Sequence, residues 1–224
     1  MLQKTQPLAQ AQQSSKLIVQ NANQIFLPSE YPDYSKRDYW NSRYTNEQGQ
    51  VNDWYLNHEQ IKGILHSRLF EDKQTEIMIL GSGNSELGSK LYEDGYNYIT
   101  NVDFSEVVTD QMKERYKHLD EMDYVCLDIT EQIDISEDSF DCIIDKACLD
   151  SVACSGGHDG AKKVDSMIAN VFKVLAPGGS YVSISRGPPE TRLVYFNESK
   201  YKWQVESLMV QKKTSIEMIE RIDQ

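Results

Sequence analysis

Two glycines follow the first strongly apolar run of the chain, in the segment Leu80-Gly81-Ser82-Gly83-Asn84-Ser85. Glycine lets a backbone come close to a ligand because no Cβ stands in the way. Asp103 ends the next apolar run, 20 residues after Gly83. A carboxylate at that place can accept hydrogen bonds from both hydroxyls of a ribose. Together these features predict a crevice for a nucleoside or nucleotide, with a plain tight turn as the alternative.

Glu86 indicates which kind of nucleotide fits this crevice. It stands three positions after Gly83, where a dinucleotide-binding loop has a small residue. A carboxylate in the first helical turn would repel a pyrophosphate lying on that helix end. S-adenosylmethionine carries an adenosine, an amino acid and a sulfonium but no phosphate. The sequence therefore favours S-adenosylmethionine as the cofactor, and an NAD-linked oxidoreductase is the least favoured class.

Three further acidic residues and a lysine follow later apolar runs. Asp128 and Ile129 are suited to an adenine, the carboxylate for its exocyclic amine and the isoleucine for its ring face, although an aspartate there can equally cap a turn. Asp145 and Asp150 could attract a lysine ammonium at the mouth of an acceptor pocket. Asp145 could instead bond the loop backbone, and Lys146, at the end of the same run, could be a surface lysine.

Aromatic residues are concentrated upstream of the first strand, and they include Trp40, Tyr44 and Trp54. Electron-rich ring faces attract a sulfonium and keep water away from it. The same spacing also occurs where a helix packs its rings on a core. Both interpretations remain open at this point.

Alternating strands and helices must position these residues, because each polar segment ends an apolar run. Strands are predicted at 77–80, 98–102, 124–127, 140–144 and 181–184, with two weaker ones between 203 and 222. Helices are predicted at 56–70, at 85–94, from Ser105 to about 118 and over the apolar face that runs from 164 to 175. This alternation is typical of an α/β fold whose parallel sheet is covered on both faces.

Composition and charge exclude several classes of protein. The chain has 224 residues, 39% of them apolar, which is enough for one domain over residues 29–224 after a flexible Gln-rich tail at 1–28. No apolar run approaches the roughly 18 residues of a membrane span, and no secretory signal is evident. The net charge of −12 argues against nucleic acid and favours a basic partner.

The cysteines and histidines indicate neither a metal site nor a disulfide framework. The four cysteines lack zinc-ligand spacing, so reduced thiols and a cytoplasmic location are expected. The four histidines, His58, His66, His118 and His158, have no spacing to a nucleophile and are interpreted as surface or packing residues.

Several motifs together resemble those of the seven-stranded class I methyltransferases: Gly81–Ser85, Asn101–Val108, Ser139–Lys146 and Leu175–Gly179. With the upstream segments Tyr39–Tyr44 and Asp53–Tyr55, the chain resembles the eukaryotic elongation factor 1-alpha lysine methyltransferases. That group contains the type 4 enzyme and the amino-terminal domain of the methyltransferase-like 13 protein. The resemblance covers residues 30–205. It implies a Rossmann-like sheet of seven mostly parallel strands, with helices on both faces and an antiparallel edge strand near the C-terminus.

The resemblance also implies roles for individual residues. Trp40, Tyr44 and Trp54 would close over the methionine end of S-adenosylmethionine, which Gly81 and Gly83 would line. Asp103 would hold the ribose, Phe104 would lie beside the adenine, and Asp128 and Ile129 would bracket the base. Lys146 would lie near the transferred methyl group. Ala147 departs from the pattern, because the family often has glycine after the Asp-Lys pair, so the loop towards the acceptor is expected to differ.

The expected activity is methyl transfer to a lysine of a basic protein, possibly elongation factor 1-alpha, by a monomeric enzyme. Such a reaction is an in-line displacement that requires alignment and desolvation. Deprotonating a lysine at pH 7 costs about 4.6 kcal/mol, and an apolar pocket near the sulfonium lowers that cost, so no dedicated strong base is expected. A small-molecule methyltransferase and a non-catalytic cofactor-binding module are the alternatives.

Overall fold

The computed structural model describes residues 32–67, 73–196, 201 and 204–210. The chain divides into two units, residues 1–32 and 33–224, and every element named below belongs to the second. The Gln-rich tail predicted at 1–28 lies outside the described residues. The boundary predicted at residue 29 stays a prediction.

Five strands form one sheet: β1 (Ile77–Leu80), β2 (Ile99–Asp103), β3 (Met122–Cys126), β4 (Phe140–Lys146) and β5 (Leu175–Ile184). Their order is β3-β2-β1-β4-β5, and all neighbouring pairs are parallel. The direction in which the chain adds strands reverses between β1 and β4. In open α/β sheets a ligand binds at such a point, beyond the carboxyl ends of the strands.

The prediction of seven strands with an antiparallel edge strand is not confirmed, because the described residues form five strands and all of them are parallel. Residues 204–210, within the region predicted to hold the last two strands, have no regular secondary structure. All seven of these residues are exposed, so they lack the burial that stabilises a strand. The remaining residues of that region, 203 and 211–222, lie outside the described part of the chain.

The described residues also form seven helices: α1 (Arg37–Asn46), α2 (His58–His66), α3 (Leu87–Glu93), α4 (Glu106–Tyr116), α5 (Cys148–Ala153), α6 (Gly157–Val174) and α7 (Pro189–Arg192); a short 3-10 turn at Leu193–Tyr195 follows. The predicted cap of α4 is confirmed, since the Ser105 side chain accepts from the Val108 N–H. A capping box begins α2, where Asn57 and Gln60 each accept from the other's backbone N–H.

Strand β1 shows how both faces of the sheet are filled. Successive side chains of a strand point to opposite faces. Ile77 and Ile79 belong to a core cluster with residues of α1 to α4, whereas Met78 and Leu80 belong to a second cluster with residues of α5 and α6. All four side chains are buried. The helices therefore cover both faces, as the continuous apolar run predicted.

The long helix α6 ends before the position that the sequence predicted. Its last residue is Val174, and β5 begins at Leu175. The segment Pro177-Gly178-Gly179, just after the predicted helix, lies within an irregular part of β5, where the register with β4 shifts between Phe140 and Cys142. None of the helices in the described part of the chain has the length and hydrophobicity that a bilayer span requires.

Two glycines in helices provide a test of how tightly the sheet is packed. A Cβ on Gly88 in α3 would lie 2.5 Å from Oδ1 of the buried Asn101, whereas a Cβ on Gly63 in α2 would meet nothing within 4 Å. We expect Gly88→Ala to lower the free energy of unfolding by about 1–3 kcal/mol through overpacking. Gly63→Ala should raise it by up to about 1 kcal/mol, since alanine is the better helix former.

Denaturant unfolding of the two variants and the parent chain measures both changes. Gly63→Ala in α2 is thus the control for Gly88→Ala in α3, because the same change is made in a helix where the added Cβ meets nothing. A stabilising or neutral Gly88→Ala would contradict the close packing of α3 on β2.

Candidate active site

One cleft lies beyond the carboxyl ends of β1, β2 and β4, with an empty volume of about 990 Å³. Every residue that the sequence predicted to bind the cofactor lines it: Trp40, Tyr44, Trp54, Gly81, Gly83, Asp103, Phe104, Asp128, Ile129 and Lys146. Asp145 and Asp150, the other two predicted site residues, are not among its lining residues.

The turn after β1 requires glycine at two positions, because the backbone there has positive φ angles and because neighbouring side chains leave no room for a Cβ. Gly81 and Gly83 have φ values of +58° and +52°, in the left-handed region that other residues rarely adopt. A Cβ on Gly81 would lie 2.7 Å from the Cβ of Cys148, and one on Gly83 would lie 2.7 Å from the Tyr44 hydroxyl. Residues from α1 and α5 therefore approach this turn directly, which the sequence motif did not indicate.

Asp103 ends β2 as a buried carboxylate with only part of its acceptor capacity used. Its two oxygens accept from the backbone N–H groups of Gly83 and Ser105, each at 2.9 Å. Burial raises its pKa to about 6, while those N–H groups act in the opposite direction. A carboxylate has about four lone-pair sites, so Asp103 keeps acceptor capacity that the hydroxyls of a ribose can use.

Asp128 both lines the cleft and forms a turn. Its Oδ1 accepts from the backbone N–H and the hydroxyl of Thr130, which is the capping role that the sequence left open. Its Oδ2 lies 3.4 Å from a guanidinium nitrogen of Arg37. The same guanidinium lies 5.5 Å from the centre of the Phe104 ring. Arg37, which the sequence analysis did not single out, thus joins two of the residues expected around the adenine.

The aromatic residues serve as core and as cleft wall at the same time. Trp40 and Tyr44 are buried in the core cluster below α1 to α4, and both also line the cleft. Their rings stack with centres 5.6 Å apart, and Trp54 lies 5.9 Å from Trp40. The Arg43 guanidinium lies 5.0 Å from the Trp54 ring. The two interpretations of these rings are therefore compatible.

Lys146 is a buried lysine at the end of β4, not a surface residue. Its Nζ lies 2.8 Å from Asp53 Oδ1 and donates to the carbonyl of Trp54 at 3.3 Å. The Ser85 hydroxyl donates to the same oxygen of Asp53. Burial lowers the pKa of Lys146, and the Asp53 carboxylate opposes that change. The lysine consequently fastens the Asp53-Trp54 segment to the sheet, where Trp54 lines the cleft.

Asp145 holds the turn that follows β4. Its side chain is fully buried and accepts from the N–H groups of Cys148 and Leu149 and from the hydroxyls of Tyr181 and Ser183. Burial raises its pKa to about 6, although these donors act against the rise. The sequence left two roles open for Asp145. In the structure Asp145 bonds the loop backbone.

Ala147 stands in the turn that Asp145 holds. It adopts φ +78°, the conformation for which glycine would be the usual residue. The replacement of glycine by alanine therefore leaves a left-handed backbone at this position, at a cost of about 1 kcal/mol.

Asp150 on α5 joins three separate segments. It accepts from the Tyr55 hydroxyl at 2.7 Å, from the Ser185 hydroxyl at 2.6 Å and from Arg192 Nε at 2.8 Å. Burial alone would raise its pKa, but these donors and the Arg186 N–H hold it below its ordinary value. Asp150 is therefore ionised at neutral pH and fixes Tyr55 against the loop after β5.

The partners of Lys146 and Asp150 were not predicted from the sequence. Asp53 and Tyr55 were read only as part of a motif, yet they bind Lys146 and Asp150, which lie 93 and 95 residues further along the chain. Tyr55 has φ +65°, an unusual value for a tyrosine. In the sequence, the one sign of these contacts is that Asp53 stands beside two aromatic residues, Trp54 and Tyr55, with no basic residue next to it. Which residues it would pair with depends on the fold.

The residues present fit S-adenosylmethionine. Asp103 is a buried carboxylate at the cleft that can accept from a ribose, and the wall of rings provides faces that attract a sulfonium. Glu86 is the N-cap residue of α3, but its carboxylate lies 4.0 Å from a guanidinium nitrogen of Arg115 and does not line the cleft. The polar and aromatic groups of the cleft thus suit a nucleoside that carries a sulfonium.

Comparisons with known proteins agree with this chemistry. A model of the methyltransferase domain matches residues 78–183. The "eEF1A lysine and N-terminal methyltransferase" of Bos taurus is 34% identical over 160 residues, which are 71% of this chain and 22% of that protein. The "EEF1A lysine methyltransferase 4" of Mus musculus is 28% identical over 185 residues, covering 79% of this chain and 71% of that protein. The chain thus spans about a fifth of the length of the first relative.

A solved structure gives the same result for the fold. Phosphoethanolamine N-methyltransferase 1 of Haemonchus contortus, in complex with phosphoethanolamine and S-adenosylhomocysteine, aligns with a TM-score of 0.52 and 17% identity. The alignment covers 75% of this chain and 36% of that one. At this identity the likeness concerns the fold alone.

The raised pKa of Asp103 predicts how pH affects cofactor binding. Ribose hydroxyls donate to the charged carboxylate, so binding favours the deprotonated form. We expect the affinity for S-adenosylhomocysteine to be constant above about pH 7 and to fall as the pH drops through about 6. Calorimetric titrations between about pH 5 and about pH 8 measure this dependence.

Unfolding would not account for such a loss. A carboxyl group whose pKa is higher in the folded chain than in the unfolded one contributes stability as the pH falls from about 6 to about 4. Asp103→Asn is the control, because it should bind more weakly but without the pH-dependent step. A step that persists in Asp103→Asn would assign the effect to another group.

Proposed function

We propose that the chain is an S-adenosylmethionine-dependent protein-lysine N-methyltransferase whose acceptor is a basic protein similar to elongation factor 1-alpha. Two relatives are named for methyltransferase activity on that factor, and one of them is matched over 71% of its own length. The net charge of −12 supports a basic partner. The same charge disfavours nucleic acid.

The observation that carries the proposal is the edge at which the cleft meets a neighbouring groove. Asn52 and Trp54 line both the cleft and this groove, whose walls also include Tyr55, Ser185 and Arg186. A metabolite methyltransferase needs an acceptor pocket that buries most of a small substrate. At this edge a lysine of a polypeptide can enter the cleft while the rest of the acceptor lies in the groove.

We assign the cofactor to the ten predicted residues that line the cleft. Asp103 holds the ribose, Asp128, Ile129 and Phe104 surround the adenine, and the glycine turn with the aromatic wall holds the methionine end. S-adenosylmethionine supplies an electrophilic methyl group when it is bound. The protein contributes alignment and the exclusion of water, which together account for much of the rate of such transfers.

The acceptor amine must be neutral before it can attack. A lysine in water at pH 7 needs about 4.6 kcal/mol to lose its proton. A pocket walled by Trp54 and other rings lowers this cost because burial disfavours the ammonium. No histidine lines the cleft within the described residues. The proposal therefore includes no dedicated base, and water carries the proton away.

Lys146, Asp145 and Asp150 act in this proposal by positioning other groups. Lys146 and Asp150 hold the segment that contains Asp53, Trp54 and Tyr55, and Asp145 holds the turn between β4 and α5. These contacts fix the edge shared by the cleft and the groove, where the acceptor amine has to arrive.

Some finer features belong to the same proposal. We propose that strands from residues after 203 extend the sheet at the free side of β5, to give seven strands with an antiparallel edge. We also propose that residues 29–224 form one domain that acts as a monomer in the cytoplasm. The resemblance to class I methyltransferases supports the first statement, and the absence of zinc-ligand or disulfide spacing supports the location.

Transfer of a labelled methyl group tests the activity directly. The full chain, incubated with labelled S-adenosylmethionine and purified elongation factor 1-alpha, should place label on a lysine of that protein. Asp103→Asn should reduce the labelling by at least about tenfold, since the ribose loses a charge-assisted partner. Mass spectrometry of the acceptor identifies the modified residue.

Other results would contradict the proposal in distinct ways. Label recovered in a solvent-extractable metabolite from a cell extract would indicate a small-molecule methyltransferase. Binding of S-adenosylhomocysteine with no labelled product in either fraction would indicate a non-catalytic module. Equal labelling by the parent chain and Asp103→Asn would indicate a contaminating enzyme.

Tyr55→Phe tests the positioning role of Asp150. The change removes one hydrogen bond to an ionised carboxylate, so we expect kcat/KM for the protein acceptor to fall by about tenfold. The dissociation constant of S-adenosylhomocysteine should stay within about twofold, because Tyr55 does not line the cleft. Tyr92→Phe on α3, which lines neither cleft nor groove, is the matched control. A parallel loss of cofactor affinity in Tyr55→Phe would refute a role at the acceptor side.

A further inference from the structure

Helix α2 carries two histidines that meet an aspartate at the end of α3. His58 and His66 are the first and last residues of α2, and Asp94 is the C-cap residue of α3. The Nε2 atoms of both histidines lie 3.0 Å from the same oxygen, Asp94 Oδ2. The three donor atoms lie within 4.8 Å of one another. The sequence predicted only surface or packing roles for these histidines.

His58 has the features of a ligand without its metal. The residue is only 5% exposed, and neither of its ring nitrogens has a hydrogen-bond partner within the described residues, although Nδ1 lies 3.5 Å from Glu59 Oε1. His66 Nε2 forms a hydrogen bond with Asp94 Oδ2, whereas His58 Nε2 lies at the same distance from that oxygen without forming one. A buried polar group without a partner is costly and calls for an explanation. A metal ion between these three groups would provide the partner that the His58 ring lacks.

From this geometry we propose that His58, His66 and Asp94 form a zinc site. Two imidazoles and one carboxylate are the protein ligands of many zinc sites with an open fourth position. Ligand atoms around a tetrahedral zinc ion are about 3.3 Å apart, which small side-chain adjustments of this cluster provide. Thiolate is absent from the cluster, and imidazole with carboxylate suits zinc and neighbouring transition metals better than calcium or magnesium.

Among the described residues, Lys62 places an ammonium on this cluster, where it competes with a cation. Its Nζ lies 2.6 Å from the other oxygen of Asp94, Oδ1, so it leaves Oδ2 to the histidines. The Lys62 side chain is 38% exposed and can turn towards solvent. A bound cation and this ammonium repel each other. Removing the ammonium while keeping all three ligands should therefore strengthen metal binding.

A zinc ion at this place would join α2 to the end of α3. Helix α2 directly follows the segment that Lys146 and Asp150 hold against the sheet, with only Leu56 and Asn57 between Tyr55 and the helix. The metal would therefore stabilise the helix that follows the segment Asp53–Tyr55. It would not contact the cleft, since none of its three ligands lines the cleft. The site thus has a structural role that is independent of the acceptor.

Calorimetric titration of the metal-free full chain with Zn²⁺ tests the proposal. We expect one ion per chain, and His66→Ala should weaken binding by at least about tenfold, the scale found even for groups that only support ligands. His66 is the better position for this change than His58, because its side chain is 34% exposed and its truncation leaves the core intact. Lys62→Gln should bind Zn²⁺ as tightly as the parent chain or more tightly.

Two control variants separate this site from other zinc-binding groups. His118→Ala with His158→Ala removes the two remaining histidines, which are exposed, and Cys126→Ser with Cys154→Ser removes the two exposed thiols. Both variants should bind like the parent chain. The absorption spectrum of the Co²⁺-loaded chain should lack the charge-transfer band of a thiolate ligand.

Thermal unfolding adds a measurement that does not depend on the heat of binding. Zn²⁺ should raise the Tm of the parent chain, as any ligand specific for the folded state does, and leave that of His66→Ala unchanged. The proposal is wrong if the parent chain binds no Zn²⁺, if His66→Ala binds it equally well, or if the cysteine variant is the one that loses it.

Discussion

The ion pair between Lys146 and Asp53 is the contact on which the shape of the cleft depends. It joins the end of a central strand to a segment that precedes the first strand by more than twenty residues. Breaking a buried pair by removing one partner is costly, because the remaining charge stays buried. Ser85, in the glycine turn, donates to the same aspartate. One carboxylate thus fixes three neighbouring parts of the cleft: the strand end, the turn and the aromatic wall.

Buried carboxylates recur at the strand ends for the same physical reason. Parallel strands covered on both faces leave their carboxyl ends as the main place where polar groups can gather. Asp103 and Asp145 both lie there, and burial raises the pKa of each to about 6. Their partners differ: four residues of the fold donate to Asp145, two of them through side-chain hydroxyls, whereas the donors to Asp103 are backbone N–H groups and its side chain lines the cleft. This difference distinguishes a structural carboxylate from one available to a ligand.

Much of the fold could be predicted from the sequence. Strand β1 was predicted over the four residues that it occupies, and the other strands of the sheet were each predicted within a few residues of their bounds, except for the start of β5. These predictions succeeded because a strand buried on both faces is a continuous apolar run. The two strands expected after residue 203 had no such run, and the described residues 204–210 are exposed and irregular.

The site residues that follow the strands could be predicted from the sequence, but the residues that they bind could not. Glycines, aspartates and a lysine that end apolar runs must meet at one edge of a parallel sheet, so these predicted cofactor residues came together in one cleft. The predicted aromatic residues Trp40, Tyr44 and Trp54 line the same cleft, although they come from segments before the first strand. The sequence left open whether Lys146 was a surface residue and whether Asp145 faced an acceptor. Burial and hydrogen bonding decide such questions, and neither can be read from residue types alone.

The sequence by itself determined the class of fold, the edge at which the ligand binds and a ligand without phosphate, because local patterns of apolar runs, glycines and charges are enough for these. Only the tertiary structure decided which groups pair: Lys146 with Asp53, Asp150 with Tyr55, and the two histidines of α2 with Asp94. Two of these pairs join residues more than ninety positions apart. Pairing at that distance depends on how helices pack on the sheet, and so it is settled by the folded core as a whole.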